Sequence, residues 1–315
     1  MFKKLYLPLG MLVVLALGLL IPESGLWIKH WKLSNLFIIL IFLVCGWQTD
    51  VNGLRFDRKF ALAFVSGAVL SLICAPWIAL GIAKIMRLPE LPMIGLVVIS
   101  AVPPTLSSGI VMTETAEGNV FLSMTLTIGY NLLGVLTLPV VLSWCLAGDS
   151  SINTNPGKML LNLALLVVLP FFVGFYIKKL SRKKLPSWTG YIPSTCVIML
   201  LFSFFSSSAE QLKIFPKDIL LLAALAGLLM HILLLVIMWY GSKAMKIPAE
   251  DGKAMIFTGA SKTLTIALTI LTILGADGGA AVAPCLVFYF LQMLIDSALA
   301  GKMGIATKKQ MEKSV

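Results

Sequence analysis

The 315-residue chain is 59% hydrophobic and only 12% charged, with a formal net charge of +11 and a mean hydropathy of +0.97. A soluble domain would carry about a quarter charged residues, so this composition excludes an ordinary soluble protein. The basic residues cluster at the ends of apolar runs rather than in a stripe with aromatics, so no nucleic-acid partner is expected. We therefore predict an all-α polytopic membrane protein that contacts membrane lipid.

The apolar runs are each roughly as long as a helix that crosses a bilayer. The first run has no small-x-small cleavage site before Pro22, so we interpret it as an uncleaved helix rather than a signal peptide. The sequence predicts ten spans, at residues 5–22, 34–49, 60–86, 91–116, 119–147, 157–177, 190–209, 218–242, 253–275 and 281–301.

Orientation follows from the distribution of lysine and arginine between alternate connectors. Seventeen of the 25 fall on one side and seven on the other, and Lys262, inside a span, is the remaining one. Because cytoplasmic loops carry the excess of basic residues, both termini are predicted to lie in the cytoplasm, with the chain in the cell inner membrane. Two termini on one side require an even number of spans, and ten satisfies this.

The chain divides near its midpoint at a hydrophilic connector, residues 148–158. Residues 1–147 hold five predicted spans and residues 159–301 hold five more, followed by a basic cytoplasmic tail at 302–315. Since five is odd, the second half enters the membrane from the opposite side. We therefore expect any structural repeat to be inverted.

The fourth span of each half carries a sequence that interrupts a helix. In the first half it is Pro-Pro-Thr-Leu-Ser-Ser-Gly at 103–109, and in the second it is Thr-Gly-Ala-Ser-Lys-Thr at 258–263. Proline removes a backbone donor and glycine permits non-helical dihedrals. Paired interruptions in corresponding halves indicate the binding site of a secondary transporter. We expect the two spans to cross near mid-membrane, with non-helical backbone at 103–108 and 259–261.

Lys262 is the most informative single residue, because a lone charge at bilayer depth costs about 3 kcal/mol on insertion scales. Its ammonium and the hydroxyl groups at the two breaks favour an anionic small-molecule substrate. The predicted substrate-binding residues are Thr105, Ser107, Ser108, Thr258, Ser261, Lys262 and Gln292.

Asp296, in the tenth span, is the clearest acidic residue at bilayer depth. At a rise of 1.5 Å per residue, Asp296 lies about 9 Å and Lys262 about 13 Å inside the cytoplasmic boundary. Two interpretations stay open: a structural ion pair that joins the ninth and tenth spans, or part of a gate or coupling site. For His231, mid-span in the eighth segment, a hydrogen-bonded packing role is favoured over a proton relay.

Enzyme motifs do not occur in this sequence. It has no His-Glu-x-x-His zinc motif and no phosphate-binding P-loop. The five cysteines have no metal-ligand spacing and are interpreted as packing residues. We therefore predict no enzymatic activity, no cofactor and no bound metal, apart from the question of sodium.

Two stretches resemble a known family. Residues 103–113, followed by Ala116-Glu117-Gly118-Asn119-Val120 and Leu122-Ser123, resemble the fourth and fifth helices of the bile acid:sodium symporter family. Gly259-Ala260-Ser261-Lys262-Thr263-Leu264, with Gln292-Met293 and Ser297, resembles the branch that contains vertebrate solute carrier family ten, member seven, and its bacterial relatives. The resemblance extends over essentially the whole chain.

This resemblance implies two inverted five-helix repeats. The first, second, sixth and seventh helices would form a panel domain and the others a core domain, with broken helices four and nine crossing at the centre of the core. Substrate and sodium would bind there, at the cleft between the domains. Ser123 and Thr127 match two sodium-ligand positions of the fifth helix as they stand.

Other sodium positions differ from the family pattern. Ser71 stands in place of a glutamine, Thr258 in place of a glutamate, and Lys262 in place of a glutamine ligand. We expect the ammonium to lie among the oxygens of Ser123, Thr127 and Thr258, with Asp296 as a compensating carboxylate. A fixed positive charge there argues against sodium coupling by the two-site scheme. The predicted coupling or gate residues are Ser71, Ser123, Thr127, Lys262 and Asp296.

These observations together predict a secondary transporter or facilitator. It would move a small organic or amphipathic anion by alternating access between the panel and core domains. A second class of function remains open, namely a membrane regulatory or interaction protein that keeps the transporter fold without concentrative transport.

Overall fold

A computed structural model describes residues 2–48, 58–105, 108–147, 156–181, 186–214, 216–276 and 279–313, and these form helices and turns without a strand. The α-helices are α1 (Phe2–Leu20), α2 (Glu23–His30), α3 (Leu33–Gln48), α4 (Arg58–Ala68), α5 (Ala75–Ile85), α6 (Glu90–Ala101), α7 (Ser108–Thr115), α8 (Val120–Cys145), α9 (Pro156–Leu163), α10 (Leu169–Ser181), α11 (Ile192–Ile214), α12 (Lys217–Ala244), α13 (Ala249–Ala260), α14 (Leu264–Ile273) and α15 (Gly279–Lys313). Short π-helical segments join α4 to α5 (Val69–Cys74) and α9 to α10 (Ala164–Val168).

The chain is an all-α, multi-pass membrane protein. Within its described residues, seven helices are long and apolar enough to cross a membrane, or eight if α1 and α2 form one bent span. Each of the ten predicted segments is helical over most of its described residues. The count of ten crossings stays a prediction, because α3 and α6 are shorter apolar helices. The sequence did not predict α2, which follows a bend of 100° after α1.

By their packing, the helices form two groups. The first group consists of α1–α3 and α9–α11, and the second of α4–α8 and α12–α15. Glycines allow α3 and α10 to pack closely, since a Cβ added to Gly174 would lie 1.9 Å from the carbonyl oxygen of Leu43. The two groups meet where α11 packs on α15 and α9 on α8.

The chain enters α6 and α13 through the same kind of turn. Met86-Arg87-Leu88-Pro89 follows α5, and Met245-Lys246-Ile247-Pro248 follows α12. The second residue of each turn has a left-handed backbone, with φ of 53° and 54°. The third residue donates its N–H back into the preceding helix, over 2.9 Å in the first turn and 3.0 Å in the second. This bonding pattern closes a helix C-terminus, and the proline then starts the next helix.

The two helices that follow these turns also match. Both α6 and α13 are 12 residues long. Each ends in extended backbone, at Val102 (φ −67°, ψ 152°) and at Ser261 (φ −73°, ψ 147°). Pro103 lies 14 positions after Pro89, and Lys262 lies 14 positions after Pro248. The breaks in the two spans therefore occur at equivalent distances from equivalent turns.

The structure confirms both breaks and corrects the second by two residues. Residues 102–105 are non-helical, whereas 106–107 lie outside the described residues. The second break occupies 261–263 rather than 259–261, and Gly259 is helical. A Cβ on Gly259 would lie 2.8 Å from the Cε of Met238, so this glycine serves close packing and not an unusual backbone conformation.

The structure describes only part of the connector at which the chain is predicted to divide into two halves. Most of the connector 148–158 lies outside the described residues, which resume at 156. Helix α15 continues into the predicted tail at 302–315 as far as Lys313. The end of α15 is attached to α13, since the Lys253 ammonium donates to the hydroxyl of Thr307 over 2.7 Å.

Candidate functional site

The two broken spans contact each other directly at their breaks. The backbone N–H of Thr263 donates to the carbonyl oxygen of Pro103 over 3.1 Å. Non-helical backbone at bilayer depth is stable only where protein or a water-filled cavity provides hydrogen-bond partners. Here each break provides some of these partners for the other. The meeting of the two breaks places Thr105, Ser261 and Lys262 in one region of the second helix group.

The Lys262 side chain is fully buried and its ammonium contacts three oxygens. It donates to the Ser71 carbonyl oxygen over 2.6 Å, to the Ser71 hydroxyl over 3.0 Å and to the Val102 carbonyl oxygen over 3.2 Å. An ammonium has three N–H donors, so all three are used. Ser71 lies in the π-helical segment Val69–Cys74, where i→i+5 bonding changes which carbonyls are paired within the helix.

The expected surroundings of the ammonium are therefore wrong. Ser123 and Thr258 instead bond to each other, with their hydroxyl oxygens 2.7 Å apart. Thr113 donates to the Ser123 hydroxyl over 3.3 Å, while the buried Thr127 hydroxyl has no partner among the described residues. These hydroxyls form a separate polar cluster because the long lysine side chain points towards α4 and α5 and not towards α8.

The predicted partnership of Lys262 with Asp296 is also wrong. Asp296 lies 2.9 Å from Nε2 of His231, and both side chains are buried. The expectation that His231 is hydrogen-bonded is confirmed. Similar predicted depth did not make Lys262 and Asp296 partners, because the ammonium bonds to Ser71 and Val102 and the carboxylate to His231.

Gln292 has a different role from the one predicted. Its side-chain carbonyl accepts the backbone N–H of Lys262 over 2.8 Å, and its amide N–H donates to the Lys262 carbonyl oxygen over 3.0 Å. The fully buried amide thus pairs both backbone groups of the residue at the break. In this conformation Gln292 supports the break, so its predicted contact with substrate would require the pairing to open.

Asn131 supports the first break in a related way. Its amide donates to the carbonyl oxygen of Pro104 over 3.1 Å and to that of Thr127 over 2.8 Å. Pro103 and Pro104 have no N–H, so a donor alone suffices at this break. Lys262 has both an N–H and a C=O, and a glutamine provides both partners. The sequence carried a signal for this, since each amide lies in the span that follows the break of its own half.

The remaining predicted substrate residues that the structure describes are close to the breaks, but their hydroxyl groups form hydrogen bonds within the protein. Thr105 is buried and shares a hydrogen bond with the Ser108 hydroxyl. The Ser261 hydroxyl donates to the Thr258 carbonyl oxygen over 3.1 Å. Ser107 lies outside the described residues. The structure thus brings Thr105, Ser108, Ser261 and the Lys262 side chain to the breaks, with their polar atoms already paired.

A small cavity lies between the two helix groups, beside α14. Its volume is about 40 Å³. The polar side chains that line it come from both groups: Ser34 and Asn35 on α3, and Thr269 and Thr272 on α14. The cavity therefore borders α14, the helix that begins directly after the second break.

The sequence pattern of the SBF-like CPA transporter family matches residues 6–304. Probable sodium/metabolite cotransporter BASS4, chloroplastic, from Arabidopsis thaliana is 24% identical over 93% of this chain and 71% of its own length. Sodium/bile acid cotransporter 7 from Mus musculus is 24% identical over 78% of this chain and 72% of its own length. Sodium/bile acid cotransporter 7-B from Xenopus laevis is 24% identical over 90% and 80%, respectively.

These similarities confirm the resemblance to the bile acid:sodium symporters and to the branch of member seven. The matched region includes both broken spans, the buried lysine and the two amide residues, Asn131 on α8 and Gln292 on α15. The relatives carry transporter names, which agrees with the prediction of a transporter and not an enzyme. The chain belongs to the SBF-like CPA transporter family.

Proposed function

We propose that this protein is a secondary transporter or facilitator that moves a small organic or amphipathic anion across the membrane by alternating access. The observation that carries the proposal is the contact between the two breaks, where Thr263 bonds to Pro103 beside the buried Lys262. Secondary transporters bind substrate and coupling ions at such broken helices near the bilayer midplane. Family membership supports transport as the general activity.

We infer that the two helix groups are the panel and core domains of two inverted five-helix repeats. The first group would be the panel and the second the core. The matched turns before α6 and α13, their equal lengths and the equal spacing to each break support this inference. The cavity at the boundary between the groups would then mark a route that opens when they move apart.

The charge at the breaks favours an anionic substrate. The hydrogen bonds of the Lys262 ammonium go to uncharged oxygens of Ser71 and Val102, and no carboxylate contacts it within the described residues. The positive charge is therefore neutralised only by dipoles. α7 and α14 also begin directly after the breaks, and helix N-termini favour negative charge. An anion that binds next to the breaks would compensate both the charge of the ammonium and the partial positive charge at the two helix N-termini.

We propose that Lys262 provides the positive charge that a coupled sodium ion provides in the symporters. The relatives carry the word sodium in their names, but a second cation beside a buried ammonium would be repelled in a low-dielectric site. We therefore do not extend sodium coupling to this chain, and protonation of a buried group is the proposed alternative. Sodium retained at Ser123 and Thr127 is the competing outcome.

Reconstitution into liposomes tests this function. An untargeted comparison of metabolites retained by the purified protein would supply the anions to be assayed, with taurocholate as a fixed reference. Uptake above that of empty liposomes is expected, and Thr105→Ala and Lys262→Ala should weaken binding of the retained anion. Affinity that is indifferent to both substitutions would contradict the placement of the site. Binding without any uptake would favour the alternative, a regulatory or interaction protein with this fold.

Localisation is part of the same proposal. We propose that the chain lies in the cell inner membrane with both termini in the cytoplasm, on the strength of the asymmetric lysine and arginine count. Reporter fusions to the C-terminus, active only on one side of the membrane, would test the orientation.

A further inference from the structure

A buried pair of ionisable side chains lies between α12 and α15, away from the contacts of the Lys262 ammonium. Nε2 of His231 is 2.9 Å from Oδ1 of Asp296, and the two residues are 0% and 3% exposed. The histidine ring meets Phe288 edge-on, with ring centroids 5.4 Å apart. The proposed substrate site does not use this pair.

The pair of His231 and Asp296 can bind one additional proton. A neutral imidazole has one N–H and one bare nitrogen. Nε2 is used in the bond to Asp296, whereas Nδ1 is buried without a partner among the described residues. With a neutral ring and an ionised carboxylate, the pair carries one net negative charge. A buried charge without an opposite partner is costly, and one added proton makes the pair neutral whichever of the two groups holds it.

Among the described residues, Asp296 forms an ion pair only with His231. The ammonium of Lys262 bonds to Ser71 and Val102, and the Cys285 thiol bonds to the carbonyl oxygen of Gly95. Tyr289 is a further buried ionisable side chain on α15. The charged residues of the other helices packed on α12 lie near the ends of those helices: Arg58, Lys84, Glu90, Glu250, Asp251 and Lys253.

The pair is connected to the second break through α15. Phe288, Gln292 and Asp296 follow at intervals of four residues and so share one face of the helix. Gln292 holds both backbone groups of Lys262, and Asp296 lies one turn further along. Because α15 also packs on α11 of the first group, a movement between the groups would act on the helix that carries both.

We propose that His231 and Asp296 form a proton-binding site, separate from Lys262, whose occupancy is coupled to the relative movement of the two helix groups. The ligand is a single proton taken from water, which adds to the pair and changes its net charge from −1 to 0. The binding of the proton rests on the pair, and its coupling to movement rests on the position of the pair on α15, whereas a role of that coupling in transport rests on the proposed function.

The chain offers a direct test of proton binding because it contains only two histidines, His30 and His231. His30 lies on the exposed α2, so His30→Gln leaves a single imidazole. In that protein, labelled with ¹⁵N-histidine, NMR should show His231 gaining a proton as the pH falls from about 9 to about 5. Asp296→Asn is the matched control and should change the titration, because the amide cannot share the proton.

Each other result of this titration counts against the proposal. A ring that stays neutral over the whole range would refute proton binding and leave a purely structural pair. A ring that keeps its proton throughout would refute coupling, since a site that never releases a proton cannot couple. A titration that is unchanged by Asp296→Asn would show that the two side chains do not act as one site.

Coupling is tested by the accessibility of the cavity between the groups. Thr269→Cys places a thiol at the cavity, and its reaction rate with N-ethylmaleimide reports opening, with the parent chain as background for its five own cysteines. At each pH this rate is divided by the rate of the same thiol in the Thr269→Cys/His231→Gln/Asp296→Asn protein, so that the common increase of the thiolate fraction with pH cancels. This labelling ratio should change by about tenfold between pH 5.5 and pH 8.5, as a shift between two states predicts.

The outcomes separate this inference from the proposed function. A His231 titration with a labelling ratio that does not change with pH would refute coupling while the proton site stands. A titration and a pH-dependent labelling ratio in a protein that transports none of its retained anions would contradict the proposed function and leave the proton-coupled movement in place.

Discussion

At the scale of single residues, the most unusual contact is that of the Lys262 ammonium with three uncharged oxygens. The Ser71 hydroxyl takes part twice, since it accepts from the ammonium and donates to the Gly259 carbonyl oxygen over 2.7 Å. A charge that is buried without a carboxylate depends on such fully used hydrogen bonds. Ser71 and Val102 thus form, together with Lys262, a cation site whose cation is part of the chain.

The first prediction concerns sodium. Thermal stability of the wild type should be the same in sodium chloride and in choline chloride, because the buried ammonium at Ser71 and Val102 repels a second cation close to the breaks. Lys262→Gln supplies the residue type that the symporters use and removes the charge, so partial sodium stabilisation is expected. Stabilisation by a bound ion is about 2.7 kcal/mol at a hundredfold excess over its dissociation constant, and the partial site should give less.

The control for this prediction is Lys262→Met, which removes the charge without adding an oxygen ligand and should gain less sodium response than Lys262→Gln. Strong sodium stabilisation of the wild type, lost in Ser123→Ala and Thr127→Ala, would show that the inherited sodium site still works beside the lysine.

At the scale of helices, the two breaks differ in the support that they need. Pro103 and Pro104 at the first break present only carbonyl oxygens, and Asn131 donates to that of Pro104. The lysine break has an N–H and a C=O, and Gln292 satisfies both. Neighbouring helices thus restore the hydrogen bonds that each interrupted helix cannot make.

This difference predicts unequal effects of two substitutions to leucine. Gln292→Leu leaves two buried backbone groups unpaired, at about 1–3 kcal/mol each. Asn131→Leu leaves one carbonyl of the first break unpaired, so the expected loss is about half as large. Melting temperatures of the purified proteins in one detergent provide the comparison. A larger loss for Asn131→Leu would mean that Gln292 does not carry the second break.

The close packing of α3 on α10 predicts a second pair of outcomes. Gly174→Ala should destabilise the protein by about 1–3 kcal/mol, as overpacking typically does, because the new Cβ would lie 1.9 Å from the Leu43 carbonyl oxygen. Gly81→Ala is the matched control, since an added Cβ at Gly81 meets no atom within 4 Å. Equal melting temperatures for the two variants would show that α3 and α10 can separate at no cost.

At the scale of the whole molecule, the division into two groups determines how the protein could move. The first group is bound together by contacts such as the hydrogen bond of 2.9 Å between the Tyr6 and Thr195 hydroxyls. The second group contains both breaks, the contacts of the Lys262 ammonium and the separate cluster of hydroxyls around Ser123 and Thr258. The cavity beside α14 lies at the boundary between them. Relative movement of the groups would therefore change access to the breaks without disrupting either group.

Cross-linking tests this movement. A short thiol-reactive linker between Asn35→Cys on α3 and Thr272→Cys on α14 joins the two groups across the cavity. It should abolish uptake of the transported anion, and cleavage of the linker should restore it. A linker between Tyr6→Cys and Thr195→Cys, within the first group, should leave uptake unchanged. Full uptake with the first linker in place would exclude alternating access at this boundary.

The sequence by itself determined those features that depend on local composition. Apolar runs predict membrane helices because their length and hydropathy are local properties. The interruptions at Pro103 and near Lys262 followed from the conformational limits of proline and from a charge in an apolar segment. The sequence also contains the repeat of Met-Arg-Leu-Pro at residue 86 and Met-Lys-Ile-Pro at residue 245, although it did not by itself predict that the two turns are alike.

Only the tertiary structure decided which polar groups meet. Lys262 and Asp296 lie at similar depths, yet one bonds to Ser71 and the other to His231. With 3.6 residues per turn, neighbouring positions on a helix point in directions about 100° apart. Partners therefore depend on how each helix is rotated against its neighbours. That rotation results from the packing of many distant side chains, so depth along the membrane could be read from the sequence, whereas direction could not.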